Sequence, residues 1–419
     1  MIGAGIFVMP GLVAERVPGF AGTMAVWMLG GLLALCGAAV YAELGARLPR
    51  AGGDYRYLAE AFGPVWGFLT GWAALMLTFS AAAAAMTLAA LDYLRESASV
   101  TRVPVWLPPA VVLGLTWANS IGARVSGRTT AWLTAIPIAG FVALFWTVLG
   151  AGGGPATPLW GETSEPWPIA VGRAMVFVFF TYSGWNAAAY LAGEMREPGR
   201  NLARGLLGGT AVVTVVYLMV NVTVLWAVPP AELAGSTTAG VQVAEKVLGA
   251  AGARLLSVVI AAAILGSANV TLMAGARVYY AMSLDGLAPS ALARTNASGV
   301  PAAALWVGGL WTAALTLFGK VDELYNWATL AILLLSSLTV VSLFVLRGRG
   351  VGSPAYRCTG YPVTPVLYLV ASLGVACASA LHAPRQALYG LLLVAAGFPL
   401  YALARRSFQR GVATGAGYQ

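Results

Sequence analysis

The sequence predicts an all-α protein that crosses a membrane about a dozen times, and three observations carry that prediction. Hydrophobic residues make up 59% of the 419 and charged residues only 9%, against about 25% charged in a soluble domain. The chain divides into apolar stretches of roughly 20 residues, each long enough to cross about 30 Å of hydrocarbon. Short loops bearing Pro, Gly and isolated charges separate them. The polar remainder is too small for a separate soluble domain, so residues 1–419 are expected to form one integral membrane domain.

The first membrane element is short. Gly3-Ala4-Gly5 interrupts an apolar opening, and about ten residues remain before Glu15-Arg16. Further spans are read at about 21–46, 61–91, 104–121, 128–150, 167–193, 203–228, 253–283, 301–318, 324–346, 361–381 and 385–404. Residues 229–252, with Pro229-Pro230 and then Val241 to Leu248 at helical spacing, read as an outer loop with a surface helix.

The span beginning at Trp167 is broken in its middle by Thr181-Tyr182-Ser183-Gly184-Trp185-Asn186. Glycine there costs a helix about 1 kcal/mol relative to alanine. Backbone that leaves the helix within hydrocarbon needs protein, water or ligand as partner, so such a break lines a cavity or forms a small-residue packing notch. Paired Gly-interrupted segments opening two halves of similar length point to the midplane site of a secondary transporter.

Composition excludes other classes. Cys36, Cys358 and Cys377 are scattered without metal spacing, and neither a disulfide framework nor a metal site is expected. The single histidine, His382, stands in a short loop before a proline, which leaves Ser-His-Asp catalysis without its parts. No span carries Asp, Glu, Lys or Arg near its centre, so an intramembrane enzyme is not expected, nor any cofactor. The net charge of +9 falls singly or in threes between spans, a topology pattern rather than a nucleic-acid face. Counted loop by loop, sixteen of the 24 Lys and Arg fall on one side and eight on the other. The positive-inside rule makes the richer side, with the C-terminus, cytoplasmic.

The residues Gly3-Ala4-Gly5-Ile6-Phe7 with Pro10-Gly11 form one motif. Phe180 to Asn186 with Glu194, Glu197-Pro198 and Arg200-Asn201 form a second, and Ala274 to Met282 with Asp285-Gly286-Leu287 a third. Together and in this order they resemble the amino acid–polyamine–organocation (APC) superfamily, and most nearly its L-type bacterial amino-acid permeases. The resemblance implies the leucine-transporter fold. Residues 1–150 would be the first inverted repeat of five helices, 167–346 the second, and 361–404 two additional helices. It also implies a half-helix ahead of the first break. Two residues precede Gly3, so an upstream start or a trimmed chain is expected.

An amino acid presents a carboxylate and an ammonium a few ångströms apart. The helix N-terminus after Gly3, Ala4, Gly5 and Ile6 offers N–H groups and the positive dipole end to the carboxylate. Carbonyls near Phe180, Thr181 and Tyr182 are expected to accept from the ammonium, with Ser183, Gly184 and Asn186 beside them. The resemblance makes Phe180 an outer gate, and Asn186 either a neighbour of the substrate side chain or a structural residue. Trp185, Ser267 and Asn269 line the cavity, contribute to coupling, or pack helix on helix. Glu194 and Arg200 form gate ion pairs or are solvated charges. Many members carry a lysine in the fifth helix that substitutes for sodium or takes a proton, and here Pro137 holds that position.

The expected function is secondary transport of amino acids by alternating access. The absence of charged midspan residues favours neutral, apolar substrates, and the absence of that lysine favours an exchanger or facilitator while leaving open a sodium or proton symporter that uses other groups. A polyamine, other amine or nucleobase permease of the same fold is the alternative, which anionic residues lining the cavity would favour. The expected location is the cell membrane, with the bilayer and the substrate as partners.

Overall fold

The computed structural model describes residues 2–3, 5–98, 100–150, 158–163, 165–233, 239–382 and 384–404, and within these it is all-helical. In order come α1 (Gly5–Arg16), α2 (Phe20–Arg47), α3 (Asp54–Phe62), α4 (Pro64–Ala73) and, after a single π turn at Ala74–Thr78, α5 (Ser80–Ser97). Next are α6 (Leu107–Ile121), α7 (Ala123–Gly150), α8 (Trp167–Tyr182), the one-turn α9 (Ala187–Tyr190) and α10 (Pro198–Ala227). They are followed by α11 (Pro230–Leu233), α12 (Ala239–Leu284), α13 (Ala302–Phe318), α14 (Val321–Gly348), α15 (Val363–His382) and α16 (Pro384–Ala395).

Among the described residues, seven helices are long and apolar enough to cross a membrane, and α6, α8, α13 and the second half of α7 are shorter apolar helices. Large apolar side chains such as Leu32, Trp117, Leu255, Val370 and Leu392 are exposed around the outside. A soluble protein avoids such continuous apolar surface, whereas lipid accepts it. α15 and α16 are the least buried of the spans and pack on the outside of α14.

Proline starts several helices where its missing N–H would have no partner: Pro64 in α4, Pro108 in α6, Pro168 in α8 and Pro198 in α10. One boundary matches the sequence reading and one differs. α12 comprises two helices that meet at a kink where Gly249 leaves helical geometry at φ +69° and ψ −174°, in keeping with a surface helix over Val241 to Leu248 followed by a separate span. Residues 54–60, read as loop, fall within α3, which Gly63 at φ +98° separates from α4. Tyr55, Tyr57 and Leu58 of α3 are fully buried, so this short helix is part of the core.

The packing order positions the centre. α1 packs on α8, α2 on α10, and α5 on α12, while α3 is held against α14 and α4. Where α2 and α14 end, Glu43 is fully buried and accepts from Arg47 Nε at 2.8 Å, Arg347 Nε at 2.9 Å and the Cys358 backbone N–H at 2.7 Å. Arg347 also lies over the Tyr361 ring, 3.6 Å from its centroid. A carboxylate so deep is tolerated only when its lone pairs are filled, and removing one partner of a buried pair costs about 3–5 kcal/mol. Glu43→Ala is therefore expected to destabilise the protein by about 3 kcal/mol. Thermal unfolding in detergent measures it, and an unchanged melting temperature would show the knot to be dispensable.

Candidate functional site

A cavity of about 500 Å3 opens at the centre of the helix packing, and both chain breaks reach it. Its lining is mainly apolar, with Thr70, Thr78, Ser183, Asn186, Ser267 and Thr271 as scattered polar groups. Gly3 and Gly5 border it from the start of α1, and Phe180, Thr181, Ser183, Gly184 and Asn186 from the end of α8 and the turn beyond.

The second break is a real departure from helix. α8 ends at Tyr182, Ser183 is extended at φ −60° and ψ 157°, and Gly184 takes φ +87°. A side chain at Gly184 would be strained in that left-handed conformation. One turn, α9, resumes at Ala187. The Phe180 carbonyl accepts the Ser183 N–H at 3.0 Å, and the Thr181 carbonyl accepts the Tyr217 hydroxyl at 3.0 Å. Each carbonyl oxygen has two lone pairs, so each retains one acceptor position.

The two breaks touch. A Cβ placed on Gly5 would lie 2.8 Å from Thr181 Oγ1 and 2.9 Å from Thr181 Cα, so any larger residue would push α1 off α8. α12 secures the first break from the other side, where Ser267 Oγ donates to the Ile2 carbonyl at 2.6 Å. Phe180 meets Tyr325 of α14 edge-on with ring centroids 4.7 Å apart, and both rings line the cavity. The π turn at Ala74–Thr78 also faces it through Ala74 and Thr78. Such turns free a carbonyl from the regular ladder, and the Ala74 carbonyl accepts the Tyr279 hydroxyl at 3.3 Å.

Several candidates lie elsewhere. Ile6 is 1% exposed within the hydrophobic core beside the cavity. Tyr182 turns away, its hydroxyl donating to the Trp27 carbonyl at 3.1 Å and its ring packed against Trp27 and Tyr217. Trp185 packs edge-on against Tyr41 and Tyr368 over Gly37, where a Cβ would come within 2.5 Å of the indole. Consecutive residues of a turn point in different directions, which separates Tyr182 and Trp185 from their neighbours Thr181 and Asn186. Asn269 Oδ1 accepts from Asn119 Nδ2 at 2.8 Å, a polar bond between α12 and α6. Arg200 is exposed on the first turn of α10. Ala4 and the side chain of Glu194 lie outside the described residues. Pro137 is buried within α7, next to Ile138, which lines the cavity.

One expectation is overturned. An anionic residue does line the cavity, and it is Asp54. In the sequence Asp54 reads as loop between two spans. In the fold Gly52 and Gly53, both at positive φ, bring the first residue of α3 beneath the second break. Gly52 N–H bonds the Tyr190 carbonyl at 3.2 Å, and a Cβ on Gly53 would strike the Tyr190 ring at 2.5 Å. Tyr190 then donates from its hydroxyl to Asp54 Oδ2 at 2.6 Å, and Asn186 Nδ2 donates to that hydroxyl at 3.3 Å. Burial holds the Asp54 carboxyl above the usual carboxylate range, against the opposing effect of the hydroxyls of Tyr190, Tyr41 and Thr339. The glycine pair ahead of an acidic residue was the available signal for this placement.

The closeness of α1 and α8 at Gly5 has a measurable consequence. Overpacking costs about 1–3 kcal/mol. Gly5→Val is expected to weaken ligand binding roughly 5- to 150-fold without preventing membrane insertion. Ligand-induced thermal stabilisation of the purified variant reports this, and unchanged affinity would remove the first break from the site.

Comparison with known proteins adds an independent line. Residues 1–395 match the family model described as "Amino acid permease". The mouse Asc-type amino acid transporter 1 is 30% identical, the match covering 96% of this chain and 78% of that transporter. The rabbit large neutral amino acids transporter small subunit 2 is 29% identical over 96% and 77%, and the rabbit b(0,+)-type amino acid transporter 1 is 28% identical over 83% and 73%.

Proposed function

Because this chain belongs to the amino acid permease family, we propose that it exchanges neutral amino acids across the cell membrane through the cavity between its two breaks. It is a multi-pass membrane transporter rather than an enzyme. The observation that carries the reading is the meeting of both breaks in one cavity, with Gly5 pressed on Thr181.

In this reading the N–H groups opening α1 receive the substrate carboxylate, aided by the positive end of that helix. The carbonyls of Phe180 and Thr181 receive the ammonium with their remaining lone pairs, and Asn186 and Gly184 border the side chain. The apolar lining favours an uncharged side chain, in keeping with a rabbit relative named for large neutral amino acids. Phe180 and Tyr325 form the outer gate, and alternating access moves residues 1–150 and 167–346 as two inverted repeats, with 361–404 outside them. The arginine-rich side, which includes Arg47, Arg50 and Arg56 next to α3, is cytoplasmic, as is the C-terminus. With Pro137 in place of the fifth-helix lysine, substrate inside drives uptake by exchange.

The placement of Asp54 supports a second reading, an amine or polyamine substrate whose second ammonium meets the carboxylate. One flux panel separates the two. Proteoliposomes take up radiolabelled alanine, leucine, methionine, arginine, glutamate or putrescine, with and without the same solute inside. Uptake of leucine or methionine stimulated by internal substrate supports neutral exchange, and uptake of putrescine alone favours the amine. Aromatic pairs contribute about 0.5–1.5 kcal/mol beyond area burial. Phe180→Ala is accordingly expected to lower exchange by about tenfold while leaving the melting temperature close to the parent's, and normal uptake would remove its gate role.

A further inference from the structure

Asp54 and its surroundings carry more than the binding of substrate requires. Its Oδ2 is occupied by Tyr190, but Oδ1 is buried and has no hydrogen-bond partner. The hydroxyls of Tyr41 on α2 and Thr339 on α14 are buried and face the same carboxyl closely enough to act on it as donors, although neither makes a well-aligned hydrogen bond to it. The hydroxyl of Tyr57, one turn along α3, is a further buried oxygen without a partner, and its ring meets that of Tyr41 edge-on at 6.0 Å. Buried polar groups are almost always satisfied by well-formed bonds, so a carboxyl ringed by hydroxyls that are not well aligned on it marks a group whose protonation state can change.

The charges nearby do not neutralise it. Tyr41, Tyr57, Tyr190 and Tyr368 are the titratable groups that face Asp54 from α2, α3, α9 and α15, and none of them is a cation. Arg347 of α14 is engaged by Glu43, Arg56 of α3 by Asp285, and Arg277, buried on α12, is not among the groups acting on the carboxyl. α4 contributes no titratable side chain. Only neutral hydroxyls offset the burial of an ionised carboxylate there, and neutralisation is the ordinary escape.

We propose that Asp54 is a proton-binding site in the floor of the transport cavity, and that its protonation is linked to amino-acid movement. The proton adds to Oδ1, which changes from a charged acceptor to a neutral O–H donor. That O–H can donate to Tyr41 Oη or Thr339 Oγ1, reversing the donation those hydroxyls offer the ionised form, while Tyr190 keeps its bond to Oδ2. The chain Asn186–Tyr190–Asp54 ties this state to the second break, where the substrate binds under the reading above. Opening the floor admits water to the carboxyl, and the proton leaves to it. The site is separate from the fifth-helix position occupied by Pro137.

The test uses full-length protein in proteoliposomes, loaded with the amino acid of largest flux in the panel above. Exchange is measured from pH 5 to pH 8 with both sides equal, and an internal pH-sensitive dye follows proton entry. Flux in the parent is expected to fall at least threefold as pH rises, with a dye response upon adding substrate. Asp54→Asn is expected to give a flat profile and no dye response, and to retain substrate-induced thermal stabilisation. That binding readout keeps a failed proton site distinct from a failed substrate assignment. Should Asp54→Asn not fold, Tyr41→Phe and Thr339→Val each remove one of those hydroxyls, and each is expected to shift the midpoint of the profile. An Asp54→Asn variant with the parent's pH profile overturns the proposal, as do unmoved midpoints in both hydroxyl variants. A parent flux that responds to replacing sodium by choline at constant pH, and not to pH, would assign the pocket to sodium instead.

Discussion

The centre of this protein depends on two backbones approaching more closely than side chains permit. At Gly5 the start of α1 rests on Thr181, with room for a hydrogen and no more. In a lipid environment helices gain little from mutual hydrophobicity, so close packing of small residues is the main attraction available. Here that contact also joins two places where the helical ladder is interrupted. A donor-rich helix start and an acceptor-bearing helix end are held side by side by one van der Waals contact. A zwitterion needs such a pair of partners, and no charged side chain has to supply them.

The remaining helices keep the pair in register. Ser267 holds the first break from α12, Tyr217 holds the second from α10, and the aromatic group of Trp27, Tyr182 and Tyr217 fills the space behind. At one end of α2 the buried Glu43 ties Arg47, Arg347 and the loop at Cys358 together. That knot and the Asp54 network present opposite electrostatics. Glu43 is surrounded by cationic and N–H donors and is stable as a charge, whereas Asp54 faces only neutral hydroxyls, those of Tyr190, Tyr41 and Thr339. A fully satisfied carboxylate is suited to structure, and an unsatisfied one to changing state.

How well the sequence predicted each feature follows from how local its cause is. The spans were readable because hydrophobicity over about 20 residues is a local property, and the breaks because glycine next to polar residues stands out within such a run. Gly3, Gly5, Phe180, Thr181, Ser183, Gly184, Asn186 and Ser267 all border the cavity. Ile6, Tyr182, Trp185 and Asn269 do not, because within a motif the direction of each side chain is set by the turn and by distant partners such as Trp27, Tyr368 and Asn119. Tyr325 and Thr78 were missed since nothing near them in sequence distinguishes them from other residues of an apolar helix.

The sequence by itself determined the class of protein, its apolar spans and the two places where the helical backbone is interrupted, because composition and periodicity act along the chain. Only the tertiary structure decided that the breaks meet at Gly5 and Thr181 and that the short helix beginning at Asp54 closes beneath them. Those facts are contacts between residues more than 100 positions apart, set by packing and by the positive φ of Gly52 and Gly53; the glycine pair marks a turn in the sequence, but not which distant residues will bury the carboxylate after it.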